Sequence, residues 1–154
     1  MLTIVLDNIR SAFNVGSVLR TAECAGAAEV ITTGYTPNAQ HPKVIKTALG
    51  AEEIVNSRTF KTLQEAIDNL SKEGNSIYGI EISENSTSLW EKSLPEIPTA
   101  IIFGNEIDGV QEVVLFRNGI EMLHIPQFGE KESLNVANAS AIAIYDITKR
   151  WRTN

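Results

Sequence analysis

The segment Thr99-Ala-Ile-Ile-Phe-Gly-Asn-Glu-Ile-Asp-Gly109 joins a continuous apolar run to a short polar stretch. The run from Thr99 to Phe103, bounded by Gly104, predicts a strand that is buried on both faces. A carboxylate such as Glu106 directly after a buried strand is costly unless it has partners, which indicates a functional turn. The alternative is an ordinary turn in which Gly104 and Gly109 adopt positive φ angles.

Strands and helices alternate along the rest of the chain. Strands are predicted at 3–6, 29–33, 53–60, 77–82, 99–103 and 120–125, helices at 15–25, 44–49, 63–70, 110–116 and 134–145, and loops at 35–43 and 83–98. Asn14 is the predicted N-cap of the first helix, and Gly26 is its predicted stop. This order predicts an α/β fold, a mostly parallel sheet with helices on both faces. Ligands bind such sheets at the carboxyl ends of the strands.

Length and composition predict a single domain, residues 1–154, of ordinary globular usage. One cysteine, Cys24, excludes an internal disulfide framework, and two distant histidines argue against a zinc site. No apolar run approaches about 18 residues and the N-terminus lacks signal-peptide features, so we predict a soluble cytoplasmic protein with no membrane segment and no metal. The net charge of −6 argues against non-specific binding of nucleic acid but leaves a local basic patch open.

Three segments at predicted strand ends carry more polar side chains than a simple connection needs. They span residues 7–20, 103–109 and 124–138. In the third segment, capping of the last helix by Ser133 would leave Asn135 and Asn138 unexplained. The alanines that follow would let this helix pack closely against another element, such as a second subunit.

Other chemistries are less well supported by these segments. Ser133 and His124 would form a hydrolase-like pair, but His124 falls in a strand pattern and no acid is placed to orient it. Neighbouring carboxylates at 106 and 108, or at 130 and 132, match glycosidase pairs only in type, since such doublets are common on protein surfaces. The turn Asn14-Val-Gly-Ser is too short for a phosphate-binding loop.

Taken in order, the three segments resemble the three motifs of the SpoU (TrmH) family of RNA methyltransferases, in the SPOUT superfamily. The segments that carry this resemblance are Asn14-Val-Gly-Ser-Val-Leu-Arg20-Thr-Ala22, Ile102-Phe-Gly-Asn-Glu106 with Gly109, and Ile125-Pro126 through Ser133-Leu-Asn135-Val. The resemblance covers essentially the whole chain. The stretch Val136-Ala-Asn-Ala-Ser departs from the family pattern, which often has a serine directly after the valine.

The resemblance implies a reaction, a cofactor and a fold. The reaction is methyl transfer from S-adenosyl-L-methionine to a ribose 2′-hydroxyl of RNA, either tRNA or rRNA. The fold is a SPOUT domain with a C-terminal trefoil knot, assembled as a homodimer. By position, the implied catalytic and substrate-side residues are Arg20, Asn14, Glu106, Ser133 and Asn135. The implied cofactor-binding residues are Ile80, Gly104, Ile125, Leu134 and Ser133.

Arg20 is the expected stabiliser of the negative charge that develops on the attacking 2′-oxygen. Because the arginine guanidinium stays protonated, it is a poor general base, and we expect a positional and electrostatic role. Glu106 would orient Arg20 or Asn14. Two alternatives remain: a cofactor- or RNA-binding module on the same fold without turnover, and an unrelated doubly wound nucleotide-binding protein.

Overall fold

The computed structural model describes residues 1–105, 107–131 and 133–153. Its strands are β1 (Leu2–Asp7), β2 (Glu29–Thr33), β3 (Asn56–Phe60), β4 (Ser76–Ile80), β5 (Thr87–Ser88), β6 (Thr99–Phe103) and β7 (Glu121–His124). Its helices are α1 (Ala12–Ala25), α2 (Pro42–Ala48), α3 (Ala51–Ile54), α4 (Leu63–Lys72), α5 (Glu112–Arg117) and α6 (Val136–Thr153). Strands and helices alternate, which confirms the predicted α/β class.

Within the described residues the strands form a seven-stranded sheet in the order β3-β2-β1-β6-β4-β7-β5, and its pairings are parallel. β6 lies at the centre, where Ile102 pairs with Val5 of β1 and Ile101 pairs with Tyr78 of β4. All five residues of β6 are buried, as expected for a strand covered on both faces. The predicted mostly parallel sheet is therefore confirmed.

Two apolar cores cover the two faces of this sheet. Alternate residues of β1 and β6 point to opposite faces, so each of these strands contributes to both cores. One core joins the sheet to α1 and α6 through residues that include Ile4, Leu6, Val15, Leu19, Ile144 and Ile147. The other joins the sheet to α4 and α5 through residues that include Val5, Ile102, Leu63, Ile67 and Leu115. The predicted helices on both faces are confirmed.

The first helix begins earlier than predicted. Ser11, and not Asn14, is the N-cap, because the Ser11 side chain accepts a hydrogen bond from the Asn14 N–H at 3.3 Å. The spacing of apolar residues in the sequence did not indicate this earlier start. Ala12 is buried, but its apolar neighbour Phe13 is exposed, so the two do not follow the spacing of a buried helix face. Gly26 ends the helix in the left-handed conformation, with φ of 71°, as predicted.

Most other predicted elements differ from the structure by one or two residues at an end, and three differ by more. The predicted strand 53–60 is divided into α3 and β3, because the Val55 N–H closes a helical turn on the Ala51 carbonyl at 2.9 Å. The predicted loop 83–98 contains β5, which is too short for its pattern to be recognised. The last helix begins at Val136 instead of residue 134 and continues to Thr153.

The connection from β4 to β6, residues 81–98, is fastened to the C-terminal part of the chain. Arg150 of α6 donates hydrogen bonds to the carbonyls of Leu89 and Lys92, both at 2.9 Å. Trp151 donates from Nε1 to the Leu94 carbonyl at 3.0 Å. Lys92 also forms an ion pair with Glu121 of β7, and hydrogen bonding to this carboxylate raises the pKa of the Lys92 ammonium.

Close contact between α1 and α2 gives a test of the fold. A Cβ atom at Gly16 would lie 2.6 Å from the Val44 carbonyl oxygen and 2.7 Å from Thr47 Cβ. We expect Gly16→Val to lower the free energy of unfolding by roughly 1–3 kcal/mol, because the helices must separate. Urea denaturation measures this change.

Gly129→Val is the matched control, because nothing lies within 4 Å of a Cβ atom at that position. We expect this variant to unfold within about 0.5 kcal/mol of the wild type. Equal stability of the two variants would contradict the close packing of α1 on α2.

Candidate functional site

A cavity of about 410 Å³ opens at the carboxyl ends of β4, β6 and β7. This volume lies within the range of about 300–1,000 Å³ that small-molecule sites occupy. Its lining comes from the segments that follow β4, β6 and β7 and from the start of α6. The cavity therefore lies where the parallel sheet predicts a ligand, at the carboxyl edge.

All five residues predicted to bind a cofactor line this cavity: Ile80, Gly104, Ile125, Ser133 and Leu134. They are separated by up to 54 positions in the chain and meet because β4, β6 and β7 end at the same edge. Ser133 and Leu134 are exposed, whereas Ile80 and Ile125 are buried. The structure thus assembles the predicted set, and its role in binding stays a prediction.

The turn after β6 forms one wall of the cavity. A Cβ atom at Gly104 would lie 2.1 Å from the Gly109 carbonyl oxygen, so a larger residue would push the two backbone segments apart. Gly109 has a φ angle of 69° and donates its N–H to the Asn105 carbonyl at 2.9 Å. Gly104 does not have a positive φ angle, so the ordinary turn considered as an alternative is wrong for this residue. Here glycine is needed for close approach of the backbone.

Asn105, which the sequence reasoning missed, organises this wall. It is buried, and its Oδ1 accepts hydrogen bonds from the N–H groups of Ile107 at 2.7 Å and Asp108 at 3.0 Å. Its Nδ2 donates to the Asn8 carbonyl at 2.9 Å and also to the Tyr35 hydroxyl. The side chain therefore ties the wall to the ends of β1 and β2. The sequence signal that could have indicated this role is an amide side chain two residues after the end of a buried strand.

The first and third polar segments meet beside the cavity. Asn135 donates from Nδ2 to Asn14 Oδ1 at 3.4 Å. The other atom of the same amide, Asn135 Oδ1, accepts from the N–H groups of Ala137 at 2.9 Å and Asn138 at 3.4 Å. Asn135 is therefore the cap of α6, and the capping role considered for Ser133 is wrong.

Of the predicted catalytic residues that the structure describes, Ser133 lines the cavity, whereas Arg20, Asn14 and Asn135 do not. Arg20 is exposed on α1, six residues after Asn14 and so about 9 Å further along the helix, and it does not line the cavity. Glu106 lies outside the described residues. The expected orientation of Arg20 or Asn14 by Glu106 therefore stays a prediction.

The hydrolase-like pair of Ser133 and His124 is not formed. His124 Nδ1 hydrogen bonds with Ser86 Oγ at 3.0 Å, which engages the imidazole away from Ser133. The carboxylate pairs each include one residue, Glu106 or Glu132, that lies outside the described residues. In the described ranges, no three His, Cys, Asp or Glu side chains are grouped to hold a metal ion, and no helix is long and apolar enough to cross a membrane.

The charge of the cavity wall is negative. Three carboxylates line it, from Glu81, Asp108 and Glu112, whereas the described lining includes no Lys, Arg or His. The apolar part of the lining consists of Ile80, Ile82, Phe103, Ile107, Val110, Ile125, Leu134, Val136 and Ala139. This combination suits a ligand that has an apolar or aromatic body and positive charge.

Comparison with known proteins gives consistent matches over nearly the whole chain. Residues 1–145 match the SpoU rRNA Methylase family. The chain is 34% identical over 152 residues to the 23S rRNA (guanosine-2'-O-)-methyltransferase RlmB of Neisseria meningitidis, covering 98% of this chain and 59% of that protein.

Solved structures match the fold closely. An AdoMet-bound rRNA methyltransferase from Sinorhizobium meliloti aligns with a TM-score of 0.88 and 25% identity, covering 97% of this chain and 56% of that one. A structure described as giving insights into the 2-OH methylation of C/U34 on tRNA aligns with a TM-score of 0.85 and 26% identity, covering 100% and 98%. The chain thus spans little more than half the length of the Neisseria and Sinorhizobium proteins, at 59% and 56%.

The bonds of Asn105 give a test of the site's construction. We expect Asn105→Ala to lower the free energy of unfolding by roughly 1–3 kcal/mol, because the N–H groups of Ile107 and Asp108 lose their acceptor. Asn105→Asp keeps an acceptor at that position and should lose less. Urea denaturation of both variants measures the difference.

Asn56→Ala is the control, since Asn56 is exposed on the edge strand β3. It should unfold within about 0.5 kcal/mol of the wild type. If Asn105→Ala were as stable as this control, Asn105 would not hold the cavity wall.

Proposed function

The chain belongs to the SpoU rRNA Methylase family, and we propose that it transfers a methyl group from S-adenosyl-L-methionine to a ribose 2′-hydroxyl of tRNA or rRNA. The observation that carries this proposal is the convergence of Ile80, Gly104, Ile125, Ser133 and Leu134 on one cavity. The names of the relatives support the reaction class. The solved structure described by the 2-OH methylation of C/U34 on tRNA, which aligns along 98% of its own length, also supports the reaction class.

The cavity fits the proposed cofactor in shape and charge. S-adenosylmethionine carries a sulfonium and an ammonium group, which the carboxylates of Glu81, Asp108 and Glu112 complement. The adenine ring would lie among the apolar residues, and the backbone of Gly104, Ile125 and Leu134 would hold its polar edge. Gly104 and Gly109 approach each other closely in this wall. Because neither has a side chain, the backbone here is open to contact with a ligand. When bound, the cofactor supplies an electrophilic methyl carbon.

The side chains of this protein would supply orientation and charge stabilisation. Arg20 donates hydrogen bonds to the ribose 2′-oxygen or to an adjacent phosphate as the hydroxyl gives its proton to water. A preorganised donor of this kind lowers the barrier by roughly 3–4 kcal/mol. Asn14 and Asn135, which hydrogen bond to each other, fix the edge of the cavity that faces α1. Ser133 shapes the loop around the cofactor and the ribose, and Glu106 orients Arg20 or Asn14.

A homodimer completes this proposal, because one face beside the cavity is apolar. Trp90 and Phe128 stack with ring centroids 6.0 Å apart, and Phe128 is 87% exposed. Leu134 and Ile142 line the same depression, and both are exposed. Contiguous exposed apolar surface of this kind is typical of protein interfaces. Because the net charge is −6, RNA affinity would depend on basic side chains combined from two copies.

The topology supports a C-terminal trefoil knot in a single methyltransferase domain, residues 1–154. The connection 81–98 runs from β4 through β5 to β6, and β7 lies between β4 and β5 in the sheet. The helix before β7 packs on one face of the sheet and the helix after it packs on the other. The chain would therefore pass through this connection between α5 and α6. A substrate of tRNA or rRNA implies a cytoplasmic location.

Arg20→Ala tests the proposed chemistry. We expect the rate of RNA methylation to fall at least about 100-fold, because the 2′-oxygen loses its charge-stabilising donor. The affinity for S-adenosylmethionine should change by less than twofold, since Arg20 does not line the cavity. The rate is measured with labelled cofactor and with tRNA and rRNA from cells that lack this protein, followed by mass mapping of the RNA. Calorimetric titration measures cofactor affinity.

The matched control is Arg117→Ala, an exposed arginine in the last turn of α5, which should leave both quantities unchanged. Full methylation by Arg20→Ala would remove this arginine from the mechanism. A wild-type protein that binds the cofactor but methylates no RNA would instead be a silent binding module. A wild-type protein that does not bind the cofactor would contradict the proposed function itself.

A further inference from the structure

One buried carboxylate takes no part in the chemistry proposed above. Asp7, the last residue of β1, is 1% exposed. Its oxygens accept hydrogen bonds from Thr33 Oγ1 at 2.6 Å, Gln111 Nε2 at 2.8 Å and Asn8 Nδ2 at 3.3 Å. These three donors are neutral. Because burial of a carboxylate is costly without hydrogen bonds, the arrangement around Asp7 indicates a specific task.

Of these donors, Gln111 belongs to the cavity loop, which we define as residues 104, 105 and 107–111. Gln111 follows Gly109 and Val110, which line the cavity, and directly precedes α5. Its carbonyl accepts from the N–H groups of Val114 at 2.9 Å and Leu115 at 3.1 Å, so the backbone of Gln111 is joined to the helix. Its side chain crosses to β1, which is 104 positions away in the chain.

The cavity loop is therefore held at both ends by side-chain hydrogen bonds to the β1 region. At its start, Asn105 bonds to the Asn8 carbonyl at 2.9 Å. At its end, Gln111 bonds to Asp7 at 2.8 Å. Thr33, the last residue of β2, donates to the other oxygen of the Asp7 carboxylate, Oδ1, and is itself fully buried. A carboxylate is suited to this position because both of its oxygens accept, so it can bond to Thr33 and Gln111 at once.

We infer that Asp7 is a positioning residue, which holds the cavity loop in the conformation that binds S-adenosylmethionine through its hydrogen bond to Gln111. We call this Asp7–Gln111 hydrogen bond the loop latch. The identity of the ligand rests on the proposed function, whereas the loop latch itself does not. The residues that line the cavity touch the cofactor directly, and Asp7 acts on them through the loop.

Gln111→Glu breaks the loop latch by placing a second carboxylate against Asp7. Gln111 is largely exposed, so the variant should fold, and its far-ultraviolet circular dichroism verifies this. We expect the dissociation constant for S-adenosylmethionine to rise about tenfold, a change typical of residues that belong to one hydrogen-bond network. In the ligand-free protein, the amides of residues 107–110 should exchange hydrogen faster than in the wild type. Calorimetric titration and hydrogen-exchange mass spectrometry measure these two effects.

Adding Asp7→Asn to Gln111→Glu should restore the loop latch. The introduced amide nitrogen donates to the introduced carboxylate, and the amide oxygen still accepts from Thr33. The longer hydrogen bond from Asn8 Nδ2, at 3.3 Å, is lost. We expect the double variant to bind S-adenosylmethionine within about twofold of the wild type, with amide exchange at 107–110 also restored. A residue that only stabilises the fold would not give this reciprocal rescue.

Gln40→Glu is the matched control, because it makes the same change in charge on an exposed loop residue. It should leave both measurements unchanged. An added negative charge near the cavity would by itself strengthen the binding of a cationic ligand. Weaker binding by Gln111→Glu would therefore result from a changed loop conformation and not from the added charge.

Wild-type affinity and exchange in Gln111→Glu would overturn the inference, as would equal weakening in the single and double variants. If the wild-type protein binds no S-adenosylmethionine, the proposed function fails. Hydrogen exchange then decides the loop latch alone. Faster exchange at 107–110 that Asp7→Asn reverses supports it, and unchanged or unrescued exchange overturns it.

Discussion

Parallel pairing of β6 between β1 and β4 is the constraint on which the candidate site depends. Because the three strands run in the same direction, the segments that follow Asp7, Ile80 and Phe103 all leave the sheet at one edge. Both faces of β6 are covered, so the residues from Ala100 to Phe103 are apolar, and polar side chains follow after the strand ends. The site is thus a consequence of sheet geometry, with chemistry added by the connecting segments.

Side-chain amides give these irregular segments their shape. Backbone N–H groups outside helices and strands need other acceptors, and an amide can accept and donate at the same time. Asn105 accepts from two N–H groups of the cavity loop and donates to the carbonyl of Asn8, directly after β1, while Asn135 caps α6 and donates to Asn14. The cavity wall is therefore built by residues whose first role is to satisfy the backbone, and the proposed ligand uses the surface they create.

Periodicity in the sequence was sufficient to predict the α/β class and the parallel sheet. Resemblance to the family motifs predicted five residues that line the cavity, but not Asn105 or the carboxylates beside it. Prediction from the sequence failed where tertiary contacts decide. Ser11 caps α1 instead of Asn14, and Asn135 caps α6 instead of Ser133, since several suitable side chains stood at each helix start. β5 has only two residues and exists through its pairing with β7. The position of Arg20 away from the cavity depends on how α1 packs against the sheet. No local sequence pattern indicates that packing.

The most direct test of the central claim is to map the binding of S-adenosylmethionine onto the chain by NMR. We predict amide shift changes concentrated at residues 80–82, 103–105 with 107–110, 125–127 and 133–139, since residues of these four segments line one cavity. Residues of β3 and α4, which do not line this cavity, should be unaffected. Shift changes confined to any other surface, or none at saturating cofactor, would contradict a cofactor site at the carboxyl edge of the sheet.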